Sequence, residues 1–181
     1  MAIPYTAAVR AGRLLGAVLM ATALGACMSS APVPGASATP GKDDPLPVKS
    51  REEAEDWARQ FVAHLAQVAG IKINDEPVQP FFTSCVGRNG EVAPDARFTL
   101  AYAVHSNVPN AQHNEVVRKV RDLLTSEGLK ITDYREMPDH SPESLVFARH
   151  PVSNYHVDVS STAGDDRMAL GVNTPCLMPP P

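Results

Sequence analysis

The chain has 181 residues and a formal net charge of −4, from 16 Lys and Arg against 20 Asp and Glu. Nucleic-acid phosphates repel an acidic chain, and no basic patch with interleaved aromatic residues occurs in it, so we predict no nucleic-acid partner. It also has no glycine-rich phosphate loop and no metal-ligand spacing among its 6 histidines, so the sequence predicts no catalytic residue, no cofactor and no metal ion.

The first 26 residues have the features of an export signal. Arg10 and Arg13 precede an uncharged apolar run at 14–23. This run is much shorter than the roughly 20 residues that a membrane-spanning helix needs. A short apolar run with cationic residues before it and small residues after it is typical of a secretory signal.

The signal ends at Leu24-Gly25-Ala26-Cys27, which resembles the lipobox of bacterial lipoproteins. The resemblance implies that the thiol of Cys27 takes a diacylglyceryl group, that residues 1–26 are removed, and that the mature chain begins at its lipid. Two acyl chains hold a protein stably on a bilayer. We therefore expect a protein anchored by lipid to the cell membrane on the extracytoplasmic side. The alternative is a plain exported protein in which Cys27 is incidental.

Residues 27–49 are predicted to be a linker. They contain five prolines among Ala, Ser and Gly, with almost no large apolar side chain. Such a segment buries too little surface to offset the entropy of ordering it. The remainder, 50–181, has the length of a single domain with a hydrophobic core.

Two cysteines remain once Cys27 carries lipid. Cys85 and Cys176 form an even pair in an oxidising compartment, which predicts a disulfide. A cysteine nucleophile needs a nearby histidine, and a zinc site needs further ligands at metal spacing. These two alternatives are less favoured, because the chain has no CxxC or HxxxH motif.

Two helices are predicted. The first begins at Ser50, where Glu53 three residues later completes a capping-box spacing, and ends at Gly70. Its apolar residues recur at helical intervals: Ala54, Trp57, Ala58, Phe61, Val62, Leu65, Val68 and Ala69. The second follows Pro109, ends at Gly128 and has its apolar side at Val116, Val117, Val120, Leu123 and Leu124.

Strands are predicted at 98–105, about 129–136, 145–148, 155–160 and 168–173, where apolar and polar residues alternate or apolar residues cluster. Residues 71–96, with three prolines and two glycines, are interpreted as a long irregular connection. This order of elements predicts an α+β fold. We expect a two-layer sandwich in which two helices cover one face of a mainly antiparallel sheet of about four to five strands.

The opposite face of this sheet, here called the open sheet face, is the candidate binding surface. Its predicted residues are Thr99, Ala101, Ala103, His105, His156, Asp158, Ser160, Arg167, Ala169, Gly171 and Asn173. Many of these side chains are small and rise little above the backbone of the sheet. His105, His156, Asp158 and Arg167 are the polar groups that can gather on this face. An ordinary solvated sheet face has the same pattern.

Three functions remain open from the sequence. The favoured one is a non-enzymatic binding module of the cell envelope that takes a partner protein or a small ligand on the open sheet face. The second is an envelope hydrolase that uses His105, His156 and Asp158, and the third is a structural spacer. The lipobox, the Ala- and Pro-rich composition and the late Thr174-Pro175-Cys176 are similar to small actinobacterial lipoproteins, a resemblance that implies no particular activity.

Overall fold

A computed structural model describes residues 46–137, 143–162 and 166–181. The predicted export signal, Cys27 and the predicted linker up to residue 45 lie outside the described residues. In chain order the elements are α1 Arg51–Ala69, β1 Phe81–Ser84, β2 Phe98–Asn107, a short 3₁₀ turn at Asn110–Gln112, α2 His113–Ser126, β3 Lys130–Arg135, β4 Leu145–Arg149, β5 His156–Ser161 and β6 Arg167–Asn173.

The strands form one six-stranded sheet in the order β1-β2-β6-β5-β4-β3, and every neighbouring pair is antiparallel. The antiparallel α+β fold with two helices is thereby confirmed. The predicted count of four to five strands is wrong, because β1 lies inside the interval interpreted as irregular. With only four residues and two successive phenylalanines, β1 shows no alternation that identifies a strand.

The core lies between the helices and one face of the sheet. α1 packs against β2 and β6, α2 packs against β3, β4 and β5, and the two helices contact each other. The buried apolar side chains of the strands belong to this core: Phe98, Leu100, Tyr102, Val104, Val146, Ala148, Val157, Val159, Met168, Leu170 and Val172. The other side of the sheet carries the residues of the open sheet face.

The ends of α1 follow the sequence signals. The backbone N–H of Glu53 donates to the Ser50 hydroxyl at 3.1 Å, and the N–H of Ser50 donates to the Glu53 carboxylate at 2.7 Å. Gly70 ends the helix with a left-handed backbone, φ 76°. Within the predicted apolar stripe Val68 is 39% exposed, whereas Ala66, which was not counted in the stripe, is buried. The buried arc passes through 62, 65, 66 and 69, and position 68 lies beside it.

The two ends of the described domain are tied together. The sulfur atoms of Cys85 and Cys176 lie at disulfide distance, with Cα atoms 5.8 Å apart, as predicted. Next to this bond, Leu177 and Phe98 exchange two backbone hydrogen bonds, of 2.8 and 3.0 Å. Val48, at the end of the predicted linker, forms a parallel bridge with Met178. Neither described helix has the length and apolar character needed to cross a membrane.

Candidate functional site

The open sheet face has Asp158 at its centre. Register places Asp158 beside Gly171, and Gly171 beside Ala103 on the next strand. The amide of Asn173 donates to Asp158 Oδ1 at 2.9 Å. Burial raises the pKa of the Asp158 carboxyl, opposed by the Asn173 hydrogen bond and by His156. The result is a largely covered carboxyl that is easier to protonate than an exposed one.

His156 is the exposed neighbour of Asp158 on β5. Partial burial, reinforced by the positive charge of Arg149, lowers the pKa of His156, and Asp158 acts in the opposite direction. His156 and Asp158 lie two positions apart on β5, so both are on the open sheet face, about 7 Å apart along the strand.

His105 and Arg167 belong to a different group. Arg167 Nη2 donates to Glu76 Oε2 at 2.6 Å, and His105 Nδ1 lies 3.9 Å from the same oxygen. Across the sheet, His105 is level with Ser160 and not with His156. His105 and His156 are thus separated by about 13 Å along the strands and about 10 Å across them. The three residues of the hydrolase hypothesis do not form one cluster.

A polar cleft lies next to this second group. It has a volume of about 540 Å³ and is lined by Lys72, Ile73, Asn74, Asp75, Glu76 and Asn107. Its ion pair, Lys72 with Asp75 at 3.3 Å, is 84% and 89% exposed. No group of three His, Cys, Asp or Glu side chains that could hold a metal ion occurs within residues 46–137, 143–162 and 166–181. The cleft therefore offers solvated charges that already have partners.

Among the residues that the structure describes, His113 is the buried histidine, and its role is structural. His113 is 1% exposed, and its Nε2 donates to the carbonyl of Val108 at 2.8 Å. Its Nδ1 lies 2.8 Å from the Ser161 hydroxyl. Both ring nitrogens have partners inside the core, so this side chain fixes the start of α2 against β5.

A cluster of aromatic side chains at one end of the sheet was not predicted. The ring of Trp57 lies 5.6 Å from that of Phe61 and 5.1 Å from that of Tyr155. His150 stacks on Tyr155, with ring centroids 5.0 Å apart. Trp57 and Phe61 lie one turn apart on α1, and the turn at 151–153 brings Tyr155 to them. All four side chains are half-buried.

Trp57 and Tyr155 of this cluster line a concavity of about 430 Å³, here called the aromatic groove. It is lined by Pro47, Lys49, Trp57, Val152, Ser153, Tyr155, Thr174, Pro175 and Leu177. Val152 is 77% exposed at its rim. A concave, mainly apolar surface of this size with a few polar groups is typical of a binding site. The sequence predicted the apolar stripe of the first helix. It did not indicate that Trp57 and Phe61 lie at the end of this stripe that opens toward the groove.

No protein-family model, no curated protein and no solved structure matches the chain. The geometry and chemistry of the surface are therefore the basis for assigning a function.

Proposed function

We propose that the protein is a lipid-anchored extracytoplasmic binding module of the cell envelope, and that its aromatic groove takes a proline-containing, extended segment of another envelope protein. The lipobox at 24–27 supports the anchor. The observation that carries the binding proposal is the pair of Trp57 and Tyr155 rings, 5.1 Å apart, in a groove of about 430 Å³.

The chemistry of the groove suits a polyproline-type ligand. Such a ligand is already extended before it binds, has no internal hydrogen bonds and presents proline rings that pack on flat aromatic faces. The apolar floor meets this requirement through Trp57, Tyr155 and Leu177. Lys49, Ser153 and Thr174 supply donors for the carbonyl groups of an extended backbone.

The aromatic rings are held in place before any ligand arrives. Phe61 backs Trp57 with an interplanar angle of 22°, and His150 backs Tyr155 with an angle of 23°. The backbone N–H groups of Val152 and Ser153 lie 3.3 and 2.9 Å from His150 Nδ1, which orients that ring. Binding therefore orders few side chains, which lowers its entropic cost.

The groove suits a ligand better than the open sheet face does. On the open sheet face two of the four polar side chains already have partners: Asp158 with Asn173, and Arg167, through Nη2, with Glu76. A ligand there must compete with these contacts and finds small side chains between them. The aromatic groove offers a concave apolar surface that a ligand covers without breaking such pairs.

Fluorescence tests the binding proposal directly, because Trp57 is the only tryptophan of the chain. The purified full-length chain is titrated with a proline-rich peptide and, separately, with a Gly/Ser peptide of equal length. We expect a saturable change in Trp57 emission with the first peptide only. Val152→Glu places a charge at the rim and is expected to weaken binding by roughly tenfold or more, about 1.4 kcal/mol.

Val152→Ala is the matched control, because it removes the same exposed side chain without adding charge. Its affinity is expected to stay close to that of the wild type. Two results contradict the groove proposal: no saturable change with millimolar proline-rich peptide, or an equal affinity in Val152→Glu.

The anchor is tested separately. Cys27→Ser is expected to move the chain from the membrane fraction to the aqueous fraction, because it removes the thiol that carries the lipid. Intact-mass measurement of the wild-type chain taken from the envelope is expected to show the diacylglyceryl mass at its first residue. An unacylated Cys27 in that protein contradicts the anchor and leaves the groove proposal standing.

A further inference from the structure

The two edges of the sheet are built differently. At the β3 edge, Lys130, Asp133 and Arg135 are exposed charges, and the register shifts between Ile131 and Asp133. Charges and bulges are the devices by which proteins keep an edge strand from pairing with another chain. The β1 edge, Phe81–Ser84, has neither a charge nor a bulge.

The backbone of β1 has hydrogen-bonding groups directed outward at two positions. On the side of β2 that faces β6, the N–H of Leu100 donates to Thr174 Oγ1, and the carbonyl of Leu100 accepts from the N–H of Thr174. Antiparallel ladders alternate between hydrogen-bonded and non-hydrogen-bonded pairs. Phe82, opposite Leu100, therefore directs its N–H and C=O away from β2.

The same reasoning applies two residues later. Phe98 uses its N–H and C=O on Leu177, so Ser84, opposite Phe98, also directs its backbone groups outward. Among the described residues, neither Phe82 nor Ser84 has a backbone partner on that outer side. An edge of this kind is a template for another strand.

We propose that β1 pairs antiparallel with β1 of a second copy of this chain, about a two-fold axis at Thr83. In this register Phe82 faces Ser84 of the partner subunit, and Ser84 faces Phe82 of the partner subunit, so that the four outward groups of each copy are satisfied by the other. The two sheets then join into one.

A second copy is favoured over an unrelated strand because β1 is complementary to itself. The four residues of β1 carry no charge, so the two strands place no like charges opposite each other. Arg51, the charge beside this edge, lies over the Phe82 ring, 5.3 Å from its centroid. The axis brings together two threonines, a favourable cross-strand pair. Phe81, at 66% exposure, loses exposed apolar surface when the second strand covers this edge. The Cys85–Cys176 link directly after β1 fixes the edge in position.

The pairing is expected to be weak in dilute solution. A four-residue strand pair buries far less than the about 1,200 Å² at which stable interfaces begin. Confining copies to one membrane surface raises their effective concentration and shifts them toward pairs. The pairing itself depends on neither the groove nor the anchor.

Cysteine crosslinking tests the register. In the proposed pair the two Thr83 residues form a non-hydrogen-bonded pair, with Cα atoms about 4.5 Å apart, a distance that a disulfide can bridge. Thr83→Cys in the full-length chain is expected to give a crosslinked dimer under mild oxidation, with peptide mapping that shows the 83–83 bond. Thr132→Cys on the charged β3 edge is the matched control and is expected to remain uncrosslinked.

A second variant separates strand pairing from random collision. Ser84→Pro removes an N–H that points away from β2, so the β1–β2 ladder keeps its hydrogen bonds while the pair of copies loses two. Added to Thr83→Cys, it is expected to suppress the crosslink several-fold, whereas Ser84→Ala is not. Phe81→Lys gives the same information through charge if Ser84→Pro disturbs the fold. Equal crosslinking at 83 and 132, or a crosslink insensitive to both Ser84→Pro and Phe81→Lys, overturns the proposal.

Discussion

The carboxylate of Asp158 lies directly over Gly171 on the neighbouring strand. A Cβ atom added at Gly171 would overlap Asp158 Oδ2 and lie 3.0 Å from Asp158 Cγ and Oδ1. The backbone of Gly171 is not left-handed, so the glycine is required by the space that the carboxylate occupies and not by its own conformation. Asp158 therefore lies flat along the sheet, within reach of the Asn173 amide.

This contact predicts a coupling between positions 158 and 171. Gly171→Ala is expected to destabilise the wild-type fold by about 1–2 kcal/mol, because the new methyl group displaces the carboxylate. In an Asp158→Ala background the same substitution is expected to be neutral or to stabilise by about 0.5 kcal/mol, since alanine lowers the entropy of the unfolded chain. Urea unfolding of the four proteins measures the coupling as a double-mutant cycle. Equal effects of Gly171→Ala in both backgrounds contradict the contact.

Asp158 also predicts a pH dependence of stability. Its pKa is raised above the ordinary value of 3.8 by burial, so the folded state binds this proton more tightly than the unfolded state does. The contribution of Asp158 to the free energy of unfolding therefore falls as the pH rises from about 3.8 through the pKa of this carboxyl in the folded state. Above that pKa the destabilisation by the buried charge is complete. Asp158→Asn removes the penalty and can still accept the Asn173 hydrogen bond.

We expect Asp158→Asn to be more stable than the wild type at neutral pH by on the order of 0.5 kcal/mol, because the carboxyl is partly exposed. The difference should shrink as pH falls toward the ordinary carboxyl range. Chemical unfolding of both proteins over a pH series measures it. A difference that is constant with pH, or that grows on acidification, contradicts a raised pKa.

The sequence predicted the elements whose signals are local. The capping box at Ser50 and Glu53 and the glycine at position 70 define α1, because a helix end needs nearby groups for its free amides and carbonyls. Alternation in β2, β5 and β6 identifies strands and also the side that each residue faces. The five predicted strands all occur, with ends within two residues of the prediction.

Features that depend on pairing between distant segments were not predictable in this way. The predicted residues of the open sheet face come from three strands, and β6 lies between β2 and β5, so the strand order separates His105 from His156. The aromatic groove draws its wall from the chain before α1, from α1, from the 151–153 turn and from the residues after β6. Local patterns show which residues are apolar, but they do not show which ends meet.

The capping box gives a prediction about α1, which carries Trp57. Ser50→Ala removes the hydroxyl that accepts from the Glu53 N–H and is expected to destabilise the fold by about 1 kcal/mol. Ser50→Asp, which keeps a capping oxygen, is the control and is expected to stay close to the wild type. Thermal unfolding followed by circular dichroism measures both. Equal losses in the two variants would show that the effect does not come from the cap.

The link between Cys85 and Cys176 gives the largest expected effect on stability. It joins residues 91 apart in the chain, so removing it enlarges the unfolded ensemble by about 4–5 kcal/mol in the chain-entropy model. Cys85→Ala with Cys176→Ala is expected to lower the urea midpoint strongly, and a reductant is expected to do the same to the wild type but not to the double variant.

Removal of the Cys85–Cys176 bond is also expected to change the aromatic groove. Cys176 lies between Pro175 and Leu177, two of the groove residues, and Leu177 is paired with Phe98 beside the bond. Without the bond this C-terminal segment keeps only non-covalent contacts, namely its backbone pairing and the buried Leu177 side chain, so Trp57 emission is expected to shift to the red before global unfolding. A wild-type protein whose urea midpoint and Trp57 emission do not respond to reductant would show that Cys85 and Cys176 contribute no covalent constraint.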